Sequence, residues 1–414
     1  MMRPLPHGLL GVCLLTAPVA VAAQSLVVVD PAGPVRTVTE ALTRVTPGGR
    51  ITVRAGTYAE PVIRVAVPVT IVGDSGAVFL GGAHQIFVVS ADNVTLRGLT
   101  MRGGETTFME DRAAVLFDSV ANCVIEDSRL ERTFFAIYLS RSRGCRVSRN
   151  VVAGAAEVEM TAGNAIHLFH SNDVLIDGNV VTGHRDGIYL EFAERVRVLG
   201  NESVGNLRYG LHFMFSHECE YRDNRFERNG AGVAVMYTRH MVMDGNTFAD
   251  NWGPASYGLL LKEIRDSRIL HNTFRQNSVG LYMEGSARNE VTGNTFEANG
   301  WAIRVLANAE GNTFAGNTFR QNSFDVTTNS SRNVSTFREN YWDHYEGYDL
   351  DHDGYGDVPY HPVRLFSLLV AQNEPALILL RSFFVDLLDA AERVMPVLTP
   401  PMLTDPRPLM EPPA

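Results

Sequence analysis

A phrase of about 22 residues recurs along most of the chain, and this repeat limits the possible folds more than any other feature. Each copy begins with Asn, followed two residues later by Phe and then by a second Asn. The leading residues of the clearest copies are Asn224, Asn246, Asn272, Asn294 and Asn317, at steps of 22, 26, 22 and 23 residues. The same position continues backward through Asn201, Asn179, Asn150 and Ser128, so about ten coils are recognisable.

A repeat of this length without helical apolar spacing predicts three short strands per turn. We therefore predict an all-β fold, a right-handed parallel β-helix with a 22–23 residue repeat. Each repeated Asn is predicted to bond to the equivalent amide one coil away, about 4.8 Å along the axis. We assign it to a tight turn because Asn tolerates the left-handed backbone conformation. The repeated Phe is predicted to stack inside the coils, so the repeated residues are scaffold.

Composition shifts divide the chain into four segments. Residues 1–23 combine Arg3 with an apolar run from Leu9 to Ala22, which is typical of a secretory signal peptide. A lipoprotein signal at Cys13 is less favoured, because Val12 stands where a small residue is needed. The β-helix is predicted over 24–360, with a closing acidic loop at 340–360. An α-helical hairpin at 361–396 and a proline-rich tail without a core at 397–414 complete the chain.

The hairpin is predicted to consist of two short helices that are broken at Pro375. Neither helix reaches the roughly 18–20 apolar residues that a membrane span needs. Two roles remain open: the hairpin packs on the β-helix, or it docks on a membrane partner. The apolar residues predicted to make such a contact are Leu368, Leu369, Leu379, Leu380, Phe383 and Phe384.

Charge and cysteine content exclude several classes of function. The chain has 36 basic and 46 acidic residues, a net charge of -10, and no basic run, so neither nucleic acid nor anionic lipid is an expected partner. Removal of the signal peptide would leave Cys123, Cys145 and Cys219, an odd number, so disulfides are not the framework. Cys123 and Cys145 are predicted to be stacked core thiols, although spacing alone leaves a disulfide open.

Alignment of the coils shows which residues of one strand in each coil face the core and which face outward. Its second and fourth places are apolar and face the core, whereas its third and fifth places face outward. The third places read Tyr138, His167, Tyr189, His212, Ala234, Leu260, Tyr282 and Arg304. The fifth places read Ser140, Phe169, Glu191, Met214, Met236, Lys262, Glu284 and Leu306. Insertions between residues 101 and 114, 152 and 165, and 248 and 258 leave from one turn and should line this face.

Imidazole and thioether groups on the outer face favour a soft metal ion, Cu(I) above all. His212 and Met214 are two residues apart, and Met236 lies one coil beyond Met214, so the three are predicted to form a Cu(I) contact site. His167 is two coils from His212 and would serve a second site or a handover. Met109 and Met160 are candidates on the inserted loops. The competing interpretation is that these side chains only pack under loops.

The closing segment carries a second candidate metal site. Asp349, Asp351 and Asp353, followed by Gly354 and Asp357, match the opening of a calcium loop. They predict a structural Ca or Mg ion that finishes the β-helix. No Glu occupies the twelfth place of the loop, so an Asp-rich capped turn is the alternative.

Carbohydrate chemistry is the alternative use of the outer face. Cleavage needs two carboxylates about 5–10 Å apart. Glu191 and Glu284 are four coils apart, about 19 Å, and Glu284 is predicted to pair with Lys262. Sugar binding through Tyr189 and Tyr282 remains open.

The combination of features resembles the NosD family, the periplasmic β-helix accessory proteins of nitrous oxide reductase. The signal peptide, the Asn and Phe coils, the His and Met face, the closing motif from Asn340 to Tyr360 and the apolar hairpin carry the resemblance. It implies a non-enzymatic role in copper delivery, at the periplasmic side of a membrane transporter. The implied partners are an ABC transporter membrane subunit, a copper-chaperone lipoprotein and apo nitrous oxide reductase, whose copper-sulfide centre is assembled.

Overall fold

A computed structural model describes residues 25–107, 109, 112–306, 308–329, 335–380, 382–395 and 403–413. The predicted signal peptide lies outside these residues. The described chain is a right-handed parallel β-solenoid of about 13 turns, which confirms the predicted fold class. Its strands form three parallel sheets of 14, 13 and 12 strands, which we call sheets A, B and C.

Each sheet takes one short strand from nearly every turn. Sheet A contains Leu26–Val29, Gly49–Val53, Val69–Gly73, Thr95–Arg97, Val124–Glu126, Arg146–Ser148, Leu175–Asp177, Arg197–Leu199, Glu220–Arg222, Val242–Asp244, Arg268–Leu270, Glu290–Thr292, Thr313–Ala315 and Thr336–Arg338. Sheet B contains Gly56–Tyr58, Ala77–Leu80, Thr100–Arg102, Arg129–Glu131, Val151–Ala153, Val180–Thr182, Glu202–Val204, Arg225–Glu227, Thr247–Ala249, Thr273–Arg275, Thr295–Glu297, Thr318–Arg320 and Tyr341–Trp342. Sheet C contains Ile63–Val65, Phe87–Val89, Ala113–Asp118, Phe135–Ser140, Ile166–Phe169, Asp186–Glu191, Tyr209–Met214, Ala231–Met236, Tyr257–Lys262, Val279–Glu284, Trp301–Val305 and Phe324–Thr328.

The solenoid has more turns than the repeat count suggests, because its first turns lack the Asn position. Strands such as Gly49–Val53 are instead held by alternating apolar side chains, with Ile51 and Val53 fully buried. Helix α1, Val38–Arg44, packs on the first strands of sheet A. Its buried residues Val38 and Ala41 cover the open end of the core.

The repeated asparagines form the predicted ladder. Asn246, for example, donates both its backbone N–H (2.9 Å) and its Nδ2–H (3.0 Å) to Oδ1 of Asn272 in the next coil. The assignment of Asn to the left-handed position was wrong, since the residue before it adopts that conformation. Asp223, Gly245 and His271 have φ of 55°, 66° and 49°. The Asn side chain is therefore used for hydrogen bonding between coils and not for backbone freedom.

The repeated phenylalanines stack inside the coils as predicted. Phe226, Phe248, Phe274, Phe296 and Phe319 are fully buried, with successive ring centroids 4.7–5.6 Å apart, and Trp342 ends the stack. Cys123 and Cys145 are buried free thiols in adjacent coils, and the Cys123 N–H lies 3.4 Å from the Cys145 sulfur. These contacts confirm the interpretation of stacked core thiols.

The proline-rich tail differs from the prediction, because its described part, 403–413, closes the C-terminal end of the core. Leu403 and Asp405 are buried. The Asp405 carboxylate accepts hydrogen bonds from Asn340 N–H (3.0 Å), Asn340 Nδ2–H (2.9 Å) and Trp342 Nε1–H (3.1 Å). Asp405 thus stands where the next asparagine of the ladder would be.

Helices α2, Leu365–Gln372, and α3, Phe383–Val394, form the hairpin, with a 3-10 segment, Glu374–Leu379, between them. Phe366 and Val370 of α2 are buried with Phe324 of sheet C and Val385 of α3. Among the described residues, no helix is long and apolar enough to cross a membrane. The hairpin therefore packs on the C-terminal end of the solenoid through one of its apolar faces.

Candidate functional site

The outer face of sheet C has the register that the sequence alignment predicted. Tyr138, His167, Tyr189 and His212 lie opposite one another on successive strands. Their rings form a continuous stack with centroid distances of 4.6, 4.9 and 4.7 Å. The stack explains a departure from expectation: the two imidazoles face away from the core but are each only 5% exposed.

Both buried imidazoles have unused ring nitrogens. Neither Nδ1 nor Nε2 of His167 or His212 has a hydrogen-bond partner among the described residues. Burial lowers the pKa of His167 to about 3, with the charge of Arg185 acting in the same direction. His167 is therefore neutral at physiological pH, the form in which imidazole binds a metal ion. Buried polar atoms without partners are rare in proteins and call for a ligand, a water or an ion.

A buried carboxylate beside His212 was missed in the sequence. Asp186 is fully buried, accepts hydrogen bonds from Arg208 Nε (2.8 Å) and Tyr209 N–H (3.3 Å), and lies 3.6 Å from His212 Nδ1. Desolvation opposes its ionisation, but the hydrogen bond from Arg208 and the proximity of the His212 ring outweigh it and lower the pKa of Asp186 to about 2. The repeat alignment gives the position of Asp186, one place before Gly187 and opposite Tyr209, but it does not indicate the burial of this carboxylate or its pairing with Arg208.

Met214 and Met236 lie opposite each other on adjacent strands and are half-buried. Tyr189 Oη lies 3.6 Å from the Met214 sulfur, which places this thioether beside the ring stack. The three predicted residues His212, Met214 and Met236 thus share one face over two coils. His167 is separated from His212 by the Tyr189 ring, so the structure does not bring the two imidazoles together.

The inserted loops lie at the edge of this face. Met160 belongs to the short 3-10 turn Glu159–Thr161, and Glu159 lies 3.8 Å from Arg208, so this loop reaches the guanidinium that pairs with Asp186. Met160 and Met109 are both highly exposed. The first two loops contribute to an open pocket of about 100 Å³ that is lined by Gly104, Thr106, Arg132, Thr133, Phe134, Ala155, Ala156, Thr161, Ala162, Gly163, Gly183 and His184.

The acidic closing loop brings three of its four predicted ligands together. Carboxylate oxygens of Asp349, Asp351 and Asp353 lie within 4.8 Å of one another, and Asp357 is outside this group. Asp349 accepts hydrogen bonds from Gly354 N–H (2.9 Å) and Asp353 N–H (3.2 Å). Asp353 also pairs with Arg407 of the tail. These contacts are those of a capped turn, and the Ca or Mg site remains a prediction.

Most of the predicted docking residues are exposed. Leu369, Leu379, Phe383 and Phe384 are at the surface, and Ile378 and Leu387 extend the same apolar surface. Leu368 and Leu380 instead pack against buried clusters. We call the exposed set Leu369, Ile378, Leu379, Phe383, Phe384 and Leu387 the hairpin patch.

The carboxylates considered for sugar cleavage stay apart. Glu191 and Glu284 lie on the first and last of five successive strands of sheet C. Lys262 is 3.5 Å from Glu284, as predicted for an ion pair. Glu191 and Glu284 are therefore too far apart to act together on one glycosidic bond.

Comparison with known proteins first defines the general class. A model of the right-handed β-helix region matches residues 74–201, so the chain belongs to the parallel β-helix proteins. A second family model, described as periplasmic copper-binding protein (NosD), matches residues 149–349, which include the His and Met face. The chain belongs to the NosD family.

Two relatives support this membership. A probable ABC transporter binding protein NosD from Pseudomonas aeruginosa is 31% identical over 386 residues, 88% of this chain and 89% of that protein. A protein of the same description from Stutzerimonas stutzeri is 28% identical and covers 80% of this chain and 79% of its own. Both are described as binding proteins and not as enzymes.

Solved structures share the fold. The catalytic unit of a Streptomyces thermodiastaticus α-1,3-glucanase has a TM-score of 0.57 at 13% identity, over 74% of this chain and 65% of that chain. The A-module of the Azotobacter vinelandii mannuronan C-5 epimerase AlgE4 has a TM-score of 0.55 at 13% identity, over 70% and 91%. At these identities the likeness concerns the solenoid alone.

Proposed function

We propose that this protein is a periplasmic, non-catalytic accessory protein that receives and passes on Cu(I) at the outer face of sheet C. The observation that carries the proposal is the pair of buried imidazoles, His167 and His212, whose ring nitrogens have no partner in the described structure. Met214 and Met236 add thioethers on the same face. Imidazole and thioether suit Cu(I), whereas Ca and Mg require oxygen.

The electrostatics of the face fit a monovalent cation in transit. Asp186 carries a buried negative charge that Arg208 already pairs, so its charge is only partly available to an ion near His212. Flexible Met side chains adapt to different ligand positions, and their half-buried setting leaves an approach from solvent. Such a site favours exchange of the ion over permanent storage.

The partners follow from the family and the hairpin. We propose that the hairpin patch binds the membrane subunit of an ABC transporter, since several large exposed apolar side chains on one short hairpin favour a protein or membrane contact. The relatives described as ABC transporter binding proteins support this assignment. A copper-chaperone lipoprotein would supply Cu(I), and apo nitrous oxide reductase would receive it for its copper-sulfide centre.

A Cu(I) titration tests the proposal. The protein without its signal peptide competes anaerobically with a chromogenic Cu(I) chelator, and the combined variant His212→Asn, Met214→Leu, Met236→Leu is expected to bind at least about 100-fold more weakly, about 2.7 kcal/mol. Met243→Leu, which removes a fully buried thioether in the core, is the matched control and should bind as the parent does. Absence of binding by the parent protein, or equal binding by the combined variant, would refute the site.

A further inference from the structure

A second cluster of metal-binding groups lies at the C-terminal end of the solenoid, far along the chain from the His and Met face. Asp325 belongs to Phe324–Thr328, the last strand of sheet C, and Asp343 and His344 follow directly after Tyr341–Trp342, the last strand of sheet B. Asp325 and His344 border a small pocket of about 10 Å³ whose wall also includes Pro362, Arg364 and Ser367 at the start of the hairpin. Three segments of the chain therefore meet at this point.

The three side chains converge on one position. One ligand atom from each of Asp325, Asp343 and His344 lies within 4.8 Å of the other two. His344 Nδ1 is 2.9 Å from Asp343 Oδ1 and 3.5 Å from Asp325 Oδ2. These separations are those of an ion pair between the imidazole and the carboxylates, and they also place the three groups close enough to share one small cation, whose ligand distances are about 2.0–2.2 Å.

Asp325 supplies a second, independent observation. Its side chain is only 3% exposed, and its Oδ1 is buried without a hydrogen-bond partner. A buried carboxylate oxygen without a donor is costly, and a bound cation removes that cost. The other oxygen, Oδ2, is held by the Tyr360 hydroxyl at 3.4 Å.

Neighbouring groups orient the cluster. The Gln321 N–H donates to Asp343 Oδ2 at 2.5 Å, which leaves Oδ1 of that carboxylate turned toward His344. Fixed outer contacts of this kind are typical of metal ligands. Arg364 lines the same pocket, so the two carboxylates face one guanidinium and one imidazole, and a bound cation would displace the proton of that imidazole.

We propose that Asp325, Asp343 and His344 bind one divalent cation of the zinc class. One imidazole and two carboxylates match Zn²⁺, whereas the absence of sulfur from the cluster disfavours Cu(I) and the imidazole disfavours Ca. The ion would join the last coil to the closing segment at the base of the hairpin. This site is separate from the proposed copper face and does not depend on it.

Isothermal titration calorimetry of Zn²⁺ into the metal-free protein, prepared without an affinity tag, tests the proposal. The parent protein is expected to bind one Zn²⁺, and Asp343→Asn and His344→Gln are each expected to weaken binding at least tenfold. Asn has nearly the same shape as Asp, and position 343 is partly exposed, so Asp343→Asn should remove a ligand without unfolding the protein. Circular dichroism checks that the variant is folded.

Two further variants localise the ion. Asp351→Asn removes a carboxylate from the neighbouring acidic loop and should leave Zn²⁺ affinity unchanged, and the combined copper-face variant should do the same. The proposal is overturned if the parent protein does not bind Zn²⁺ at 100 µM, a concentration on the order of a weak site. It is equally overturned if Asp351→Asn, and not Asp343→Asn, removes binding.

Discussion

Burial decides the chemistry of the individual residues on the outer face of sheet C. The ring stack removes His167 and His212 from water, and burial holds the pKa of His167 at about 3. An exposed imidazole with an ordinary pKa would be partly protonated in a mildly acidic periplasm, but this one stays available as a ligand. Shielding by neighbouring rings thus keeps His167 in the neutral form that the proposed copper site requires.

Period-two alternation in the sequence predicted which residues face outward, and the register confirms it. It could not predict that the histidines are buried, because part of their cover comes from rings outside the aligned third places, Tyr209 beside His212 and Phe135 beside His167. The same limit hid Asp186. Nothing in its local sequence indicates that Arg208, one coil later, supplies its counter-charge.

Asp186→Asn is expected to reduce the free energy of unfolding by about 2–4 kcal/mol at pH 7, because Arg208 loses its buried partner. The pKa of Asp186 is lowered from 3.8 to about 2, so its contribution is complete above about pH 4 and is lost as the pH falls through about 2. Urea unfolding at several pH values should therefore show the difference between parent and variant narrowing below pH 4.

The matched control for this prediction is Asp266→Asn, which removes the surface partner of Arg288 and should have a much smaller effect. A difference in free energy of unfolding between parent and Asp186→Asn that stays constant from pH 7 to pH 2 would contradict a stabilising role of the Asp186 charge.

At the scale of elements, the coils are joined by side-chain amides as well as by the sheets. Each ladder asparagine fills the hydrogen-bonding capacity of its neighbours in the core, where water is excluded. This element was predictable because the same residue returns at the same step. The end of the ladder was not, since Asp405 completes it from 65 residues away and belongs to no repeat.

Asn246→Ala is expected to destabilise the protein by about 2–4 kcal/mol, because it leaves buried donors and acceptors in two neighbouring coils unpaired. Its Nδ2–H bonds Tyr221 O at 2.9 Å and Asn272 Oδ1 at 3.0 Å, and its Oδ1 accepts Asn224 N–H at 3.0 Å. Chemical denaturation measures the loss. Asn308→Ala, an exposed position with one backbone hydrogen bond, is the control, and equal effects of the two changes would contradict the ladder's role.

At the scale of the whole molecule, the solenoid holds the proposed metal-binding face along one side and an apolar hairpin at one end. The tail contributes to this arrangement, because 403–413 returns past the hairpin and seals the last coil. Described segments both before and after the hairpin are thus attached to the solenoid. Docking through the hairpin would fix the position of the copper face relative to the membrane partner.

Ile378→Ser combined with Phe383→Ser is expected to leave the free energy of unfolding within about 0.5 kcal/mol, because these side chains are 88% and 80% exposed. The same change should abolish co-purification with the transporter's membrane subunit. Phe366→Ser, which removes a buried contact with Phe324, should lower stability as well as association. Undiminished co-purification of the double variant would exclude the hairpin patch as the docking surface.

The most direct test of the central claim is X-ray absorption at the copper edge of the Cu(I)-loaded protein. The proposed site predicts both imidazole nitrogen and thioether sulfur as scatterers in the parent, with the sulfur contribution lost in Met214→Leu, Met236→Leu and retained in Met243→Leu. A spectrum that keeps its sulfur in the double variant, or that shows only the thiolate sulfur of the buried cysteines, would contradict a copper site on the outer face of sheet C.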